Sequence, residues 1–325
     1  MNHRFNIPEW RGDHRQADVI VPDARTALVT GACGFLGSRI AEQLAGNEYR
    51  VVGIDRGIGD APAGIQCLAM SLPGDAFSEI LATEQPSLIV HTAGPASVAA
   101  SVADPLADFE GSVRVHAHVL EAVRLTVPDA RFITLSSAAV YGNPSVLPIA
   151  EDAPLAPISP YGHHKAMCEA LLREYSSIFG MKTCALRIFS AYGAGLKRQL
   201  LWDVCEKATA GSVRLFGTGD ETRDFIHADD VARAVLTLAE GAAFEGEAYN
   251  AATGNETSVR EVVTQLVGAF APGVAVEFSG EQRAGDPLRW RADIARIRGL
   301  GFEPSRSLAD GLAEYVAWYG SVNST

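Results

Sequence analysis

Short apolar runs alternate with longer amphipathic stretches along this chain, the pattern of repeated βα units laid around a parallel sheet. Thr26–Thr30, Arg50–Asp55, Ser87–Ala93, Arg131–Ser136 and Thr183–Phe189 read as buried strands, because each is a compact apolar run. Helices are predicted between them over Leu36–Ala45, with Leu36, Ile40 and Leu44 on one face, over Leu106–Thr126 and over Tyr161–Phe179. Ser159 is placed to cap the last of these and Pro160 to occupy its first position. The first half is therefore expected to be a doubly wound α/β domain.

Beyond Ser190 the rhythm loosens into loops rich in Gly, Arg and aromatic residues. Helices are predicted at Asp229–Glu240, at Ser258–Phe270 behind a Ser258-x-x-Glu261 capping box, and at 307–319, begun by Ser307-x-x-Asp310 and burying Leu308, Leu312, Tyr315, Val316 and Tyr319. The expected organisation is an N-terminal arm over 1–24 and a cofactor domain over 25–189 with a returning segment at about 223–252. A smaller C-terminal lobe follows, from 190–222 and 253–325. No internal repeat or low-complexity segment interrupts it.

A length of 325 residues suits one large α/β core with an appended lobe, and 47% apolar with 20% charged residues is the balance of a globular enzyme. Lys and Arg number 27 against 39 Asp and Glu, a net charge of −12 without a basic tract, which argues against nucleic acid or an anionic membrane as partner. An anionic small substrate would need a local group of arginines. Five widely spaced cysteines without a CxxC pair argue against a disulfide framework and a zinc site. No apolar run approaches the roughly 18–20 residues of a membrane span, and the N-terminal stretch is polar, so a cytoplasmic location is expected.

Gly31-Ala-Cys-Gly34-Phe-Leu-Gly37 falls between the first strand and the first helix. Glycines there permit a tight turn, close backbone approach to a pyrophosphate and close helix–strand packing, and the helix N-terminus adds its positive dipole end. Asp55 ends the second strand 24 positions after Gly31, where a carboxylate accepts from ribose hydroxyls and disfavours a 2′-phosphate. That favours NAD, although the adjacent Arg56 could instead neutralise a 2′-phosphate.

Tyr161 and Lys165 stand four apart in a predicted helix and so project from one face. Tyrosine is a poor base near neutral pH, and a neighbouring ammonium is what stabilises its phenolate. Such a pair can exchange a proton with a substrate hydroxyl while a dinucleotide takes the hydride. Ser137, at the end of a predicted strand, can hydrogen-bond the same oxygen. Each feature alone has a bland reading as a surface contact or a cap; their order behind the glycine loop is what gives them weight.

The stretches Thr30-Gly-Ala-Cys-Gly-Phe-Leu-Gly37, His91-Thr-Ala-Gly94, Ser136-Ser137, Val140-Tyr-Gly142 and Tyr161-Gly-His-His-Lys165 together resemble the extended short-chain dehydrogenase/reductases, nearest in pattern to their nucleotide-sugar epimerases and dehydratases. The resemblance continues through Leu186-Arg-Ile-Phe189, Tyr192-Gly193, Arg223-Asp-Phe-Ile-His227 and Arg283-Ala-Gly-Asp286, nearly the whole chain. It implies a Rossmann-type doubly wound parallel sheet with a smaller C-terminal substrate-binding lobe, and NAD held by Gly31, Gly34, Phe35, Leu36, Gly37, Asp55, Ala93, Tyr161 and Lys165. It also implies catalysis by Ser137, Tyr161 and Lys165. Substrate contacts are expected from Ser137, Ser190, Phe216, Arg223 and Arg283, the arginines on a diphosphate and the aromatic on a base, although Phe216 as core filler stays open.

Relatives that eliminate water carry an acid and a base directly after the catalytic hydroxyl residue; here those places hold Ala138 and Ala139. What remains is hydride and hydroxyl-proton chemistry: an NAD-dependent epimerase inverting C4 of a UDP-sugar, with a 4-keto-sugar reductase as the alternative and a non-catalytic sensor as a third class. The resemblance further implies a homodimer and a place in carbohydrate metabolism, such as polysaccharide biosynthesis. Ser190 and Ser71 depart from the epimerase pattern, at positions where an asparagine and an aspartate are usual, as does Pro95-Ala96, where a basic residue can occur near the nicotinamide. His163 and His164 point to different helix faces and receive no role.

Overall fold

The computed structural model describes residues 25–74, 76–281, 285 and 287–323. The predicted N-terminal arm over 1–24 therefore lies outside the described residues. The chain runs β1 (Arg25–Thr30), α1 (Phe35–Ala45), β2 (Tyr49–Asp55), β3 (Gln66–Ala69), α2 (Ala76–Glu84) and β4 (Leu88–His91). There follow α3 (Val98–Ala103), α4 (Pro105–Phe109), a π-helical turn (Glu110–Arg114), α5 (Val115–Thr126), β5 (Arg131–Ser137), a 3₁₀ turn (Ala138–Tyr141) and α6 (Pro160–Phe179). Next come β6 (Thr183–Ile188), β7 (Ser190–Tyr192), α7 (Gln199–Thr209), β8 (Val213–Leu215), β9 (Thr222–Arg223), β10 (Phe225–His227), α8 (Ala228–Gly241) and β11 (Glu245–Ala251). The remainder is β12 (Thr257–Ser258), α9 (Val259–Phe270), β13 (Val276–Phe278), α10 (Ala295–Arg298) and α11 (Leu308–Asn323).

Seven strands form a parallel sheet in the order β11-β6-β5-β4-β1-β2-β3. This is the expected doubly wound architecture: the chain order reverses between β1 and β4, and a crevice opens there beyond the carboxyl ends of the strands. The middle strands are mostly apolar because both faces are covered, and β4 is buried at every residue, His91 included. On one face Ile40 and Leu44 of α1 pack with Val235 and Leu238 of α8 in a shared core; on the other, Phe77 and Leu81 of α2 meet Val119 and Val123 of α5 and Leu172 of α6.

A third core joins Val204 and Cys205 of α7, Val262 and Leu266 of α9, and Leu312, Tyr315 and Tyr319 of α11. Leu308 and Val316, expected in that core, are only partly buried at its margin. The caps act as the sequence predicts: the Ser159 hydroxyl accepts from the Gly162 amide at 3.2 Å, Ser258 from Glu261 at 3.1 Å, and Ser307 from Asp310 at 3.1 Å.

Two predicted elements differ. The helix expected over 106–126 is interrupted by the π-helical turn, and the chain before it is broken at Asp104, whose carboxylate caps α4 through the Ala107 amide at 3.0 Å. The strand expected over 87–93 ends at His91, because the Thr92 hydroxyl turns back to donate to the Thr30 carbonyl at 2.6 Å. Among the described residues no helix is long and apolar enough to cross a membrane.

Candidate active site

A cleft of about 1150 Å³ opens at the carboxyl ends of β1, β2, β4, β5 and β6 and continues toward β8 and β9. At its floor lies the loop from β1 to α1. Gly31 adopts φ +73°, and its amide donates to the Ile54 carbonyl at 2.7 Å. A β-carbon on Gly31 would come within 2.9 Å of the Ala93 amide, and one on Gly37 would lie 2.0 Å from the Gly31 carbonyl oxygen. The loop thus closes on the start of α1 only because both positions lack side chains. Gly34 precedes the helix, and Phe35, Leu36 and Ala93 complete this wall of the cleft.

At the end of β2 the Asp55 carboxylate accepts the Cys33 amide at 3.0 Å and the Arg56 amide at 2.7 Å, so it is fixed between the glycine loop and the strand end. Arg56 is exposed at the same rim.

On the opposite wall, Tyr161 and Lys165 lie on the cleft face of α6, with the ammonium 5.8 Å from the phenol ring centroid. Lys165 Nζ donates to the Leu135 carbonyl at 2.9 Å, two residues before Ser137. The Tyr161 amide donates to the Ser101 hydroxyl at 3.1 Å, which holds the first turn of α6 against α3. The Ser137 hydroxyl accepts from the Ala139 amide at 3.2 Å, capping the 3₁₀ turn, while its residue lines the cleft. Capping and access to the cleft therefore coexist in one side chain.

Three of the residues expected at the substrate end line the cleft's other half. Ser190 sits on β7, its amide donating to the Asp224 carbonyl at 3.0 Å. Phe216 is half exposed there, unlike a core side chain. Arg223 lies 5.6 Å over the Trp290 ring and donates from Nη1 to its neighbour's carbonyl at Thr222, 2.8 Å away. It does not pair with Asp224, whose buried carboxylate instead accepts from the amides of Thr253, Gly254 and Ala292 and from the Thr253 hydroxyl. Burial pushes the Asp224 carboxyl above its ordinary range, against the pull of those donors. Arg283 lies outside the described residues.

Sequence reading missed several contributors. Trp290 lines the cleft and donates from its indole nitrogen to the Gly142 carbonyl at 3.0 Å, a contact across 148 residues with no local signal. Asp224 was visible only as part of a motif. His164 is buried against Asp108 of α4, with Nδ1 2.5 Å from Oδ2, while His163 is exposed, so neither enters the cleft. Away from the cleft, His227, Asp229 and Glu314 approach one another. Asp229 is already opposite Arg39 at 3.7 Å and Arg306 at 3.3 Å, and His227 Nδ1 accepts its amide, so ion pairing and capping account for this group.

A family model described as the NAD dependent epimerase/dehydratase family matches residues 27–252. The chain belongs to this family. Over 311 residues it is 33% identical to a UDP-glucose 4-epimerase of Mycolicibacterium smegmatis, covering 90% of this chain and 97% of that protein. It also resembles the crystal structure of Thermotoga maritima UDP-glucose 4-epimerase with UDP-glucose, at TM-score 0.85, 27% identity and coverage of 91% and 99%. A Bacillus cereus UDP-glucuronic acid 4-epimerase in complex with UDP-glucuronic acid and NAD gives TM-score 0.82 at 28% identity, with coverage of 91% and 99%. In this member of the family the glycine loop, Asp55, Tyr161 and Lys165 line a single cleft.

Proposed function

We propose that this protein is an NAD-dependent nucleotide-sugar epimerase that inverts C4 of a UDP-sugar through a 4-keto intermediate. The observation that carries the reading is the convergence of Ser137, Tyr161 and Lys165 on the same cleft as the glycine loop and Asp55. The residues present fit a dinucleotide: the Gly31–Gly37 turn leaves no room for side chains at its closest approaches, as a pyrophosphate cradle requires, and the fixed Asp55 carboxylate suits ribose hydroxyls. NAD, when bound, supplies the hydride acceptor and donor.

The chain's own residues do the rest. Tyr161 takes the proton from the C4 hydroxyl and later returns it, while Lys165, held by the Leu135 carbonyl, places its ammonium beside the Tyr161 ring. The Ser137 hydroxyl hydrogen-bonds the reacting oxygen. Arg223 and Arg283 hold the diphosphate as guanidinium forks, and Phe216 offers its face to the base. Ser190 contacts the sugar. Ala138 and Ala139 are buried and place no carboxylate beside Ser137, so elimination of water is not supported.

Cofactor domain and substrate-binding lobe are assigned to 25–189 with 223–252 and to 190–222 with 253–325. The protein is read as cytoplasmic, working in carbohydrate metabolism such as polysaccharide biosynthesis, and as a homodimer. Exposed Leu125 on α5 and Met167, Ile178 and Phe179 on α6 supply an apolar face for the second copy. To test the function, the purified protein is denatured without added cofactor, the released dinucleotide identified by absorbance and mass, and UDP-sugars are assayed for conversion. Bound NAD with cofactor-independent interconversion of C4 epimers is expected. An empty site with NAD(P)H consumed by a keto-sugar would move the assignment to a reductase.

A further inference from the structure

Glu169 and Arg187 form an ion pair that the chemistry above does not use. Their side chains are 1% and 4% exposed. Arg187 donates from Nε and Nη2 to the two carboxylate oxygens of Glu169 at 2.9 and 2.7 Å. Glu169 Oε1 also accepts the Ser136 hydroxyl at 2.6 Å. Arg187 Nη1 donates to the Tyr141 hydroxyl at 2.8 Å and to the Glu151 carbonyl at 2.7 Å, and Tyr141 donates onward to Asn250 at 2.7 Å. Burial works against the Arg187 charge, but Glu169 more than offsets it and holds the guanidinium above the ordinary arginine value.

A buried pair of this kind is weak evidence for stability, because desolvation of two charges cancels much of their attraction and an apolar replacement is often neutral or better. What the pair does uniquely is geometric. Glu169 stands one turn beyond Lys165 and two beyond Tyr161 on α6. Ser136 immediately precedes Ser137 on β5, and Tyr141 closes the turn that Ser137 caps. Arg187 lies on β6, three residues before Ser190. One ion pair therefore links α6, which carries Tyr161 and Lys165, to β5 and the turn around Ser137, and it is seated on β6, the strand that leads into Ser190.

We propose that Glu169 and Arg187 are positioning residues: a buried pin that sets the register of α6 against β5 and β6, so that Ser137 and Tyr161 meet on one substrate oxygen. This inference rests on the epimerase reading only for its kinetic test. The double variant Glu169→Met/Arg187→Met, which removes both charges at similar volume, is expected to fold with a Tm lowered by the hydrogen bonds lost at Ser136, Tyr141 and the Glu151 carbonyl, keep its dinucleotide and its KM for the UDP-sugar, and lose kcat by roughly ten- to a hundredfold. Ser136→Ala, which cuts only the link to β5, is expected to lose kcat by a smaller factor with Tm and KM unchanged.

Native kcat in the double variant would overturn the proposal; so would native kcat in Ser136→Ala if the double variant does not fold, or loss of Tm, dinucleotide and kcat together in both. The readout that does not depend on turnover is a crystal structure of Ser136→Ala: the separation of the Ser137 and Tyr161 hydroxyls should change from that in the wild type, and an unchanged separation would contradict the pin even if the reaction assigned above proved wrong. Failure of the wild type to interconvert epimers would count against the reaction alone.

Discussion

Tyr161 is useful for one exchangeable proton, and the packing around it does not depend on that proton: α6 is capped by Ser159 and fixed at its start by the bond from the Tyr161 amide to Ser101. Tyr161→Phe is therefore expected to leave far-UV circular dichroism and retained dinucleotide unchanged while turnover drops about 10²–10⁴-fold. Retained turnover would remove Tyr161 from the mechanism. At this scale the sequence was most legible where chemistry depends on short spacing, as in Tyr161 and Lys165. It was least legible where a side chain is recruited across the fold, as with Trp290 at the Gly142 carbonyl and Asp224 at Ala292. Nothing local distinguishes such residues from core or surface before the chain is folded.

The β1–α1 loop shows how an element depends on what is missing. A methyl group on Gly37 would press into the Gly31 carbonyl, a backbone atom that cannot step aside without opening the turn. Gly37→Ala is expected to yield folded protein at reduced stability and with far less dinucleotide per chain, measured by absorbance of the denatured supernatant; wild-type stoichiometry would show that the close approach is not needed. Long periodic helices and apolar strands were readable because burial repeats along them. The break of the predicted 106–126 helix was not, since the π-helical turn has no repeat of its own to read; it lies beside the cleft, where a β-carbon on Gly111 would come within 3.1 Å of Pro95. The two- and three-residue strands β7 to β10, β12 and β13 are too short to carry a period and exist through their pairing partners.

For the whole molecule, the strand order follows from βα alternation with right-handed crossovers, which is why the architecture could be anticipated while the outer lobe's pairings could not. Two buried histidines make stability depend on pH. Burial, reinforced by the Lys165 charge, holds His91 down to about 3, and burial with the His91 and Lys165 charges holds His116 well below its ordinary value. The folded chain keeps both neutral, whereas the unfolded chain takes up protons near 6.5. Their contribution is thus complete above that pH and is lost as pH falls below it, at up to roughly 1.4 kcal/mol per pH unit for each histidine. Urea unfolding between pH 7.5 and about 5, above most carboxylate titration, should show this decline, and a flat profile would contradict it.

The dimer proposed on the exposed apolar residues of α5 and α6 is tested by sedimentation: the wild type is expected to run as a dimer and Ile178→Glu as a monomer, and a monomeric wild type would reject that face as an interface. In the proposed reaction one hydride leaves C4 and returns to the same carbon on its other face. The most direct measurement supplies a UDP-hexose deuterated at C4, without added dinucleotide, and follows the label by mass and NMR. Deuterium retained at C4 of the product epimer is the predicted result; loss of the label to solvent, or no epimer formed unless NAD(P)H is consumed, would contradict the account.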